Sequence, residues 1–153
     1  TLLASSAASD VYKRQVDEAL QEYEHCIQEQ EDGFRSEITK VKSYIYHHYQ
    51  ERNLGAETLS AMVFLSPGYL SAVFKEETGV TLNRFIREVR MEKAKELLET
   101  TNMKISGIAK EVGFSNNSYF CRSFREFFGD TPEACRKGTE ADEKTNTEAA
   151  PSI

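Results

Sequence analysis

The chain has 153 residues, 39% of them hydrophobic, a formal net charge of -6 and three cysteines. That length suits one compact domain with tails, and no stretch approaches the roughly 18 apolar residues that a membrane helix needs. Cys26, Cys121 and Cys135 form an odd, widely spaced set. They fit neither a disulfide framework nor a zinc site, so a reducing cytoplasm is the simplest setting and no metal or cofactor is expected.

The stretch Thr1 to Ser9 is small and apolar, lacks a basic leader and is too weak for a signal peptide. The first residue is Thr rather than Met, so the chain reads as a fragment. Residues 1–15 are set aside as sequence that need not be native. Val16 to Glu31 places Val16, Leu20, Tyr23 and Ile27 at helical spacing and reads as a thin amphipathic helix or a linker, with Gly33 as its break. Two heptads are too few to claim a coiled coil.

Ser36 to Gln50 is expected as a helix capped by Ser36, with Ile38, Val41, Ile45 and Tyr49 on one face and Asn53-Leu54-Gly55 closing it. Glu57 to Phe64 is a short helix with Leu59, Met62 and Val63 apolar. Ser66-Pro67 opens the next, since Ser caps and Pro is tolerated at the first helical position. That helix carries Tyr69, Leu70, Val73 and Phe74 and ends at Gly79. Thr81 begins a long helix to about Thr100, with Leu82, Phe85, Ile86, Val89, Ala94, Leu97 and Leu98 inward. Ile105 to Val112 is short, with Ile105, Ile108, Ala109 and Val112 apolar, and turns at Gly113. Asn116 or Asn117 caps a helix through Phe128, which Gly129 stops. Phe74, Phe124, Phe127 and Phe128 have the spacing of core residues. Pro132 starts a last turn to about Lys137, and the tail from Gly138 has no apolar face.

No segment alternates in the manner of a strand. The fold class is therefore all-α with about seven helices. The organisation is a non-native or linker segment with an acidic helix over 1–35, a folded domain over 36–138 and a disordered acidic tail over 139–153.

The charge is unevenly spread. Residues 1–34 carry a net of -6, residues 139–153 a net of -3, and residues 35–138 a net of +3. Affinity for DNA follows the local charge rather than the total, so the basic middle keeps a nucleic-acid partner open.

The middle also repeats itself. Tyr69 to Glu76 aligns with Tyr119 to Glu126 at an offset of 50, and Gly79 matches Gly129. Upstream the offset is 49, pairing Leu59 with Ile108, Val63 with Val112, Leu65 with Phe114 and Ser66 with Ser115. Each unit is a short helix, a tight turn and a longer helix, and the helix over 81–100 joins them. A helix-turn-helix sets its second helix into the major groove. Two such units on a rigid connector reach successive grooves about one turn, ~34 Å, apart.

The runs Leu65-Ser66-Pro67-Gly68-Tyr69-Leu70-Ser71, Phe74-Lys75 and Thr78-Gly79 resemble the AraC/XylS family of bacterial transcription regulators. So do Ile108-Ala109, Val112-Gly113-Phe114-Ser115, Tyr119-Phe120, Phe124-Arg125, Phe128-Gly129 and Thr131-Pro132, with Arg90, Ala94 and Leu97-Leu98 in the connecting helix. The likeness spans about residues 36–138. It implies a DNA-binding domain of two helix-turn-helix units that acts on double-stranded promoter DNA, with RNA polymerase as a further partner. It also implies an upstream sensing or receiver domain that this chain does not show.

On a recognition helix the first turn and the turn after it face the bases. In the second unit these are Asn117, Ser118, Cys121 and Arg122. Arg122 is the strongest candidate, because a guanidinium bonds guanine O6 and N7 together. Asn117 reads adenine or caps the helix. Arg125, one turn beyond Cys121, meets a phosphate. The alternative for Arg122 and Arg125 is an ordinary solvated face. In the first unit the same face carries Gly68, Ser71, Ala72 and Lys75. Ala72 stands where the family often has a larger polar residue, so it offers only a methyl contact, and the second unit is expected to discriminate more. Tyr69 and Tyr119 either donate to phosphates or pack against their own units.

Other classes are weaker. His47-His48 and His25 have no ligand set at metal spacing. No phosphate loop, nucleophile elbow or paired-acid motif appears, so no catalytic residue is assigned. Cys26 beside His25 does not make a thiol-imidazole pair, since helix neighbours do not face each other. The alternative to a DNA reader is a helix-turn-helix-derived protein-interaction module. Sequence-blind coating of nucleic acid would need a broader basic surface.

Overall fold

A computed structural model describes residues 2–138; the expected tail over 139–153 lies outside the described residues. Among them the secondary structure is helical throughout: α1 Leu2–His48, α2 Ala56–Met62, α3 Pro67–Thr78, α4 Leu82–Thr100, α5 Ile105–Glu111, α6 Asn117–Phe128 and α7 over 132–138. The chain divides into two compact units, Thr1–Lys40 and Val41 onward.

The first unit is part of α1. Val16, Leu20, Tyr23 and Ile27 are exposed along it, so the stripe these four form is not covered. Two expectations are corrected. Gly33 does not break the helix and Ser36 does not cap one, because both lie inside α1. A glycine within a helix costs only about 1 kcal/mol relative to alanine. The i,i+3 and i,i+4 pairs Asp32–Arg35, Glu37–Lys40 and His25–Glu29 lie along the same stretch.

In the second unit the last turns of α1 bury Val41 and Ile45 completely. α2 and α3 pack together, as do α5 and α6, and α4 contacts α3, α5 and α6. The connecting helix serves both pairs. Its first half buries Leu82, Ile86 and Val89 and sets Phe85 edge-on to Phe74 of α3, ring centroids 5.3 Å apart. Its second half buries Met91, Ala94 and Leu98 in one core with Ile108, Val112, Phe114, Phe120 and Phe124. Met91, absent from the sequence-derived face, is fully buried there.

The caps explain the boundaries. The Ser66 Oγ accepts from the Tyr69 amide at 3.3 Å, with Pro67 opening the helix behind it, and the Thr81 Oγ1 accepts from the Arg84 amide at 3.4 Å. Gly79 and Gly129 close α3 and α6 in the left-handed conformation. Phe127 departs from its expected core place: it is 41% exposed and lies edge-on against Phe128. Met62, expected on the apolar face of α2, is likewise exposed.

Candidate nucleic-acid interface

α3 and α6 are equivalent helices of 12 residues, each entered through a side-chain cap and left through a left-handed glycine. In α6 the cap is Asn116, whose Oδ1 accepts from the Tyr119 amide at 3.0 Å. Asn117 is therefore the first residue of the helix, and its exposed side chain is not the cap. Of the two cap positions the sequence left open, the structure selects the first.

The inner face of α6 carries Phe120, Ser123 and Phe124 into the core, and this burial orients the outer face. Asn117, Ser118, Tyr119, Arg122 and Arg125 are exposed on it. Among the described residues neither arginine makes an ion pair, in contrast to Arg84, Lys93 and Lys95 on the connector, each held by a carboxylate three or four residues away. Unpaired guanidinium groups need no internal bond broken before they meet a base edge or phosphate. Cys121 differs from its neighbours. It is half-buried and packs against the second core, and burial pushes its thiol above the usual range.

The first helix-turn-helix pair presents a smaller version of this surface. Gly68, Tyr69, Ala72 and Lys75 are exposed on α3, while Ser71 is half-buried and donates its hydroxyl to the Pro67 carbonyl at 2.8 Å. Ser71 is thus already bonded within its helix. Gly68 and Ala72 bring no polar side chain. The polar groups of this face come from Tyr69 and Lys75.

The two helix-turn-helix pairs are also held to one another, through a residue whose role sequence reasoning missed. Arg90 of α4 donates from Nε to the Tyr49 carbonyl at 2.8 Å and from Nη2 to the Glu51 carbonyl at 2.6 Å. Its guanidinium lies 5.8 Å from the Phe114 ring centroid, in the turn of the second unit. Burial lowers its pKa from the ordinary arginine value. The turn at Gly113 comes equally close. A Cβ there would stand 2.9 Å from the Tyr49 carbonyl oxygen and 3.1 Å from the Arg90 Cζ.

Two equivalent helix-turn-helix pairs around one connector match a known arrangement. A helix-turn-helix domain family covers residues 59–138, more than half the chain. The chain belongs to the AraC/XylS family. The regulatory protein PocR of Salmonella typhimurium is 38% identical over 102 residues, covering 67% of this chain and 33% of that protein. The chain spans 33% to 40% of the length of three such curated relatives and as little as 12% of another.

Solved domains share the architecture. The C-terminal domain of AraT, a response regulator from Geobacillus stearothermophilus, superposes with a TM-score of 0.65 at 32% identity, over 67% of this chain and 84% of that one. The DNA-binding domain of AdpA, solved with a target DNA, gives 0.65 at 26% identity, over 69% and 94%.

Proposed function

We propose that this chain is the promoter-binding module of a bacterial transcription regulator and sets α3 and α6 into successive major grooves on one face of the duplex. The observation that carries this reading is the pair of equivalent helices, each entered through a side-chain cap and held by one connector helix, the second with an exposed polar first turn. The AdpA domain, which was solved on DNA, supports it.

Arg122 is the principal base reader, Asn117 and Ser118 flank it, and Arg125, Lys75, Tyr69 and Tyr119 address phosphates. Gly68, Ser71, Ala72 and Cys121 shape the surface around them. The first unit contributes close approach and phosphate contact, the second most of the discrimination. Residues 36–138 form the DNA-binding domain, and 1–35 lead from an upstream sensing or receiver domain. The protein works in the cytoplasm, performs no catalysis and acts on transcription through RNA polymerase. No helix among the described residues is long and apolar enough to cross a membrane.

Selection from a random duplex pool tests this, followed by titration of the enriched site at several salt concentrations. Two motifs about one helical turn apart and a steep loss of affinity with salt are expected. Absence of enrichment, with only sequence-blind binding, would overturn the reading.

A further inference from the structure

Between the two helix-turn-helix pairs lies an open cavity of about 170 Å³. One face of α4 supplies Asn83, Ile86, Arg87 and Arg90, and the second unit supplies Phe114 and Tyr119. Leu54, just ahead of α2, closes the side toward the first unit. The space far exceeds the ~10–15 Å³ that a single water requires.

The cavity's chemistry is one-sided. Two guanidinium groups, one amide and one phenol line it, and no carboxylate does. Arg87 is exposed and makes no hydrogen bond or ion pair among the described residues. Arg90 commits Nε and Nη2 to the two carbonyls, and its charge is partly desolvated with no carboxylate opposite. Tyr119 stands in the first turn of α6, so the second recognition helix forms part of the wall. Arg87 stands at the border with a neighbouring cleft, which it lines together with Arg84, Glu88 and Glu126.

We propose that this cavity is a phosphate-binding site at the midpoint of the module, with Arg87 as its principal ligand. Asn83 and Tyr119 donate beside it, and Arg90 forms its charged floor. Guanidinium groups match phosphate oxygens with two parallel N–H donors, and an oxyanion would offset the desolvated charge of Arg90. The inference rests on the promoter-binding reading for its source of phosphate. When α3 and α6 occupy successive major grooves, the backbone of the intervening minor groove passes the connector between them. The same chemistry would also hold a free phosphate.

The test compares the chain with its Arg87→Gln variant on the selected duplex across a salt series. Arg84→Gln is the control: it removes the same charge from α4, but not from this cavity. Loss of one phosphate contact lowers the slope of log K against log salt by about 1 and weakens binding uniformly across sequences. For Arg87→Gln that result is expected on the full site and should vanish on a duplex truncated to a single half-site, which assigns the ligand to the DNA backbone. Asn83→Ala should shift the slope in the same direction. If the slopes agree but millimolar inorganic phosphate raises the melting temperature of the wild-type chain and not of Arg87→Gln, the ligand is free phosphate. If neither difference appears while the wild type binds its duplex, the site does not exist and the promoter-binding reading survives. If the wild type binds no duplex, that reading fails. The cavity then stands or falls on the inorganic phosphate measurement.

Discussion

Arg90 bonds the carbonyl of Tyr49 at 2.8 Å across 41 residues of sequence. The acceptor follows the end of α1, where carbonyls lack an intrahelical partner, and a second bond reaches Glu51. One side chain thus bonds two backbone carbonyls, of which Glu51 also accepts from the Leu54 amide at 3.3 Å, while its charge lies over Phe114 of the second helix-turn-helix pair. Arg90→Met keeps the stem and removes the donors. It should destabilise the domain by roughly 1–3 kcal/mol, the cost of leaving the part-buried Tyr49 acceptor unpaired. Arg90→Lys should recover only part, since an ammonium lacks the planar fork. Urea unfolding checks both, and a Met variant as stable as wild type would show that water replaces these bonds freely.

Phe64 and Gly113 occupy the same turn position in the two repeats but under different constraints. Phe64 has φ 56° and is 95% exposed. The left-handed region costs a non-glycine residue about 1–2 kcal/mol, and nothing buried repays it. Phe64→Gly should therefore stabilise by roughly 0.5–1 kcal/mol after the greater freedom of glycine in the unfolded chain is subtracted. Gly113 has φ 91° and backbone carbonyls within 3.0 Å of any added Cβ. Gly113→Ala should lose about 2 kcal/mol or more. Thermal unfolding of the two variants should move in opposite directions, and parallel shifts would contradict the account.

Much of this was legible because the determinants are local. Ser66 and Thr81 announce their helices by type and position, and apolar spacing found both cores. The repeat also held the signal for the strained turn, since an offset of 49 sets Phe64 against Gly113. What stayed hidden depends on distant partners. The acceptors of Arg90 are carbonyls, which any residue could supply, so no side-chain type marks them. Gly33 misled because a lone glycine and a helix end look alike in sequence. Phe127 shares the spacing of its neighbours, but the helix has only one covered face. The cavity is formed by three separate segments, so no single run of sequence outlines it.

Asn116 and Asn117 divide two tasks between adjacent positions. The Asn116 bond to the Tyr119 amide satisfies an orphan donor at the start of α6. Asn116→Ala should cost about 1 kcal/mol of stability. Asn117→Ala, at an exposed first position, should change stability by less than about 0.5 kcal/mol. Its effect should appear in the selected duplex as relaxed preference at one adenine-containing step. Equal stability losses from the two variants would place the cap on both residues and weaken the case for Asn117 as a reader.

Cys121 and Cys26 should separate under an alkylating reagent. Cys26 is exposed, whereas Cys121 is half-buried against the second core, and its thiol is pushed up by burial first and by Glu133 second. The thiolate is the reactive form, so at neutral pH Cys121 should react more slowly than Cys26, with mass spectrometry reading the order of modification. A raised folded-state pKa means that the neutral thiol is the form the fold favours. Its contribution to stability is complete below the ordinary cysteine range and is lost as the pH rises through the folded-state pKa. Stability measured from neutral to alkaline pH should therefore fall less in Cys121→Ala than in the wild type. Alkylation of Cys121 as fast as Cys26 would instead place its sulfur on the open surface of α6, free to face a base.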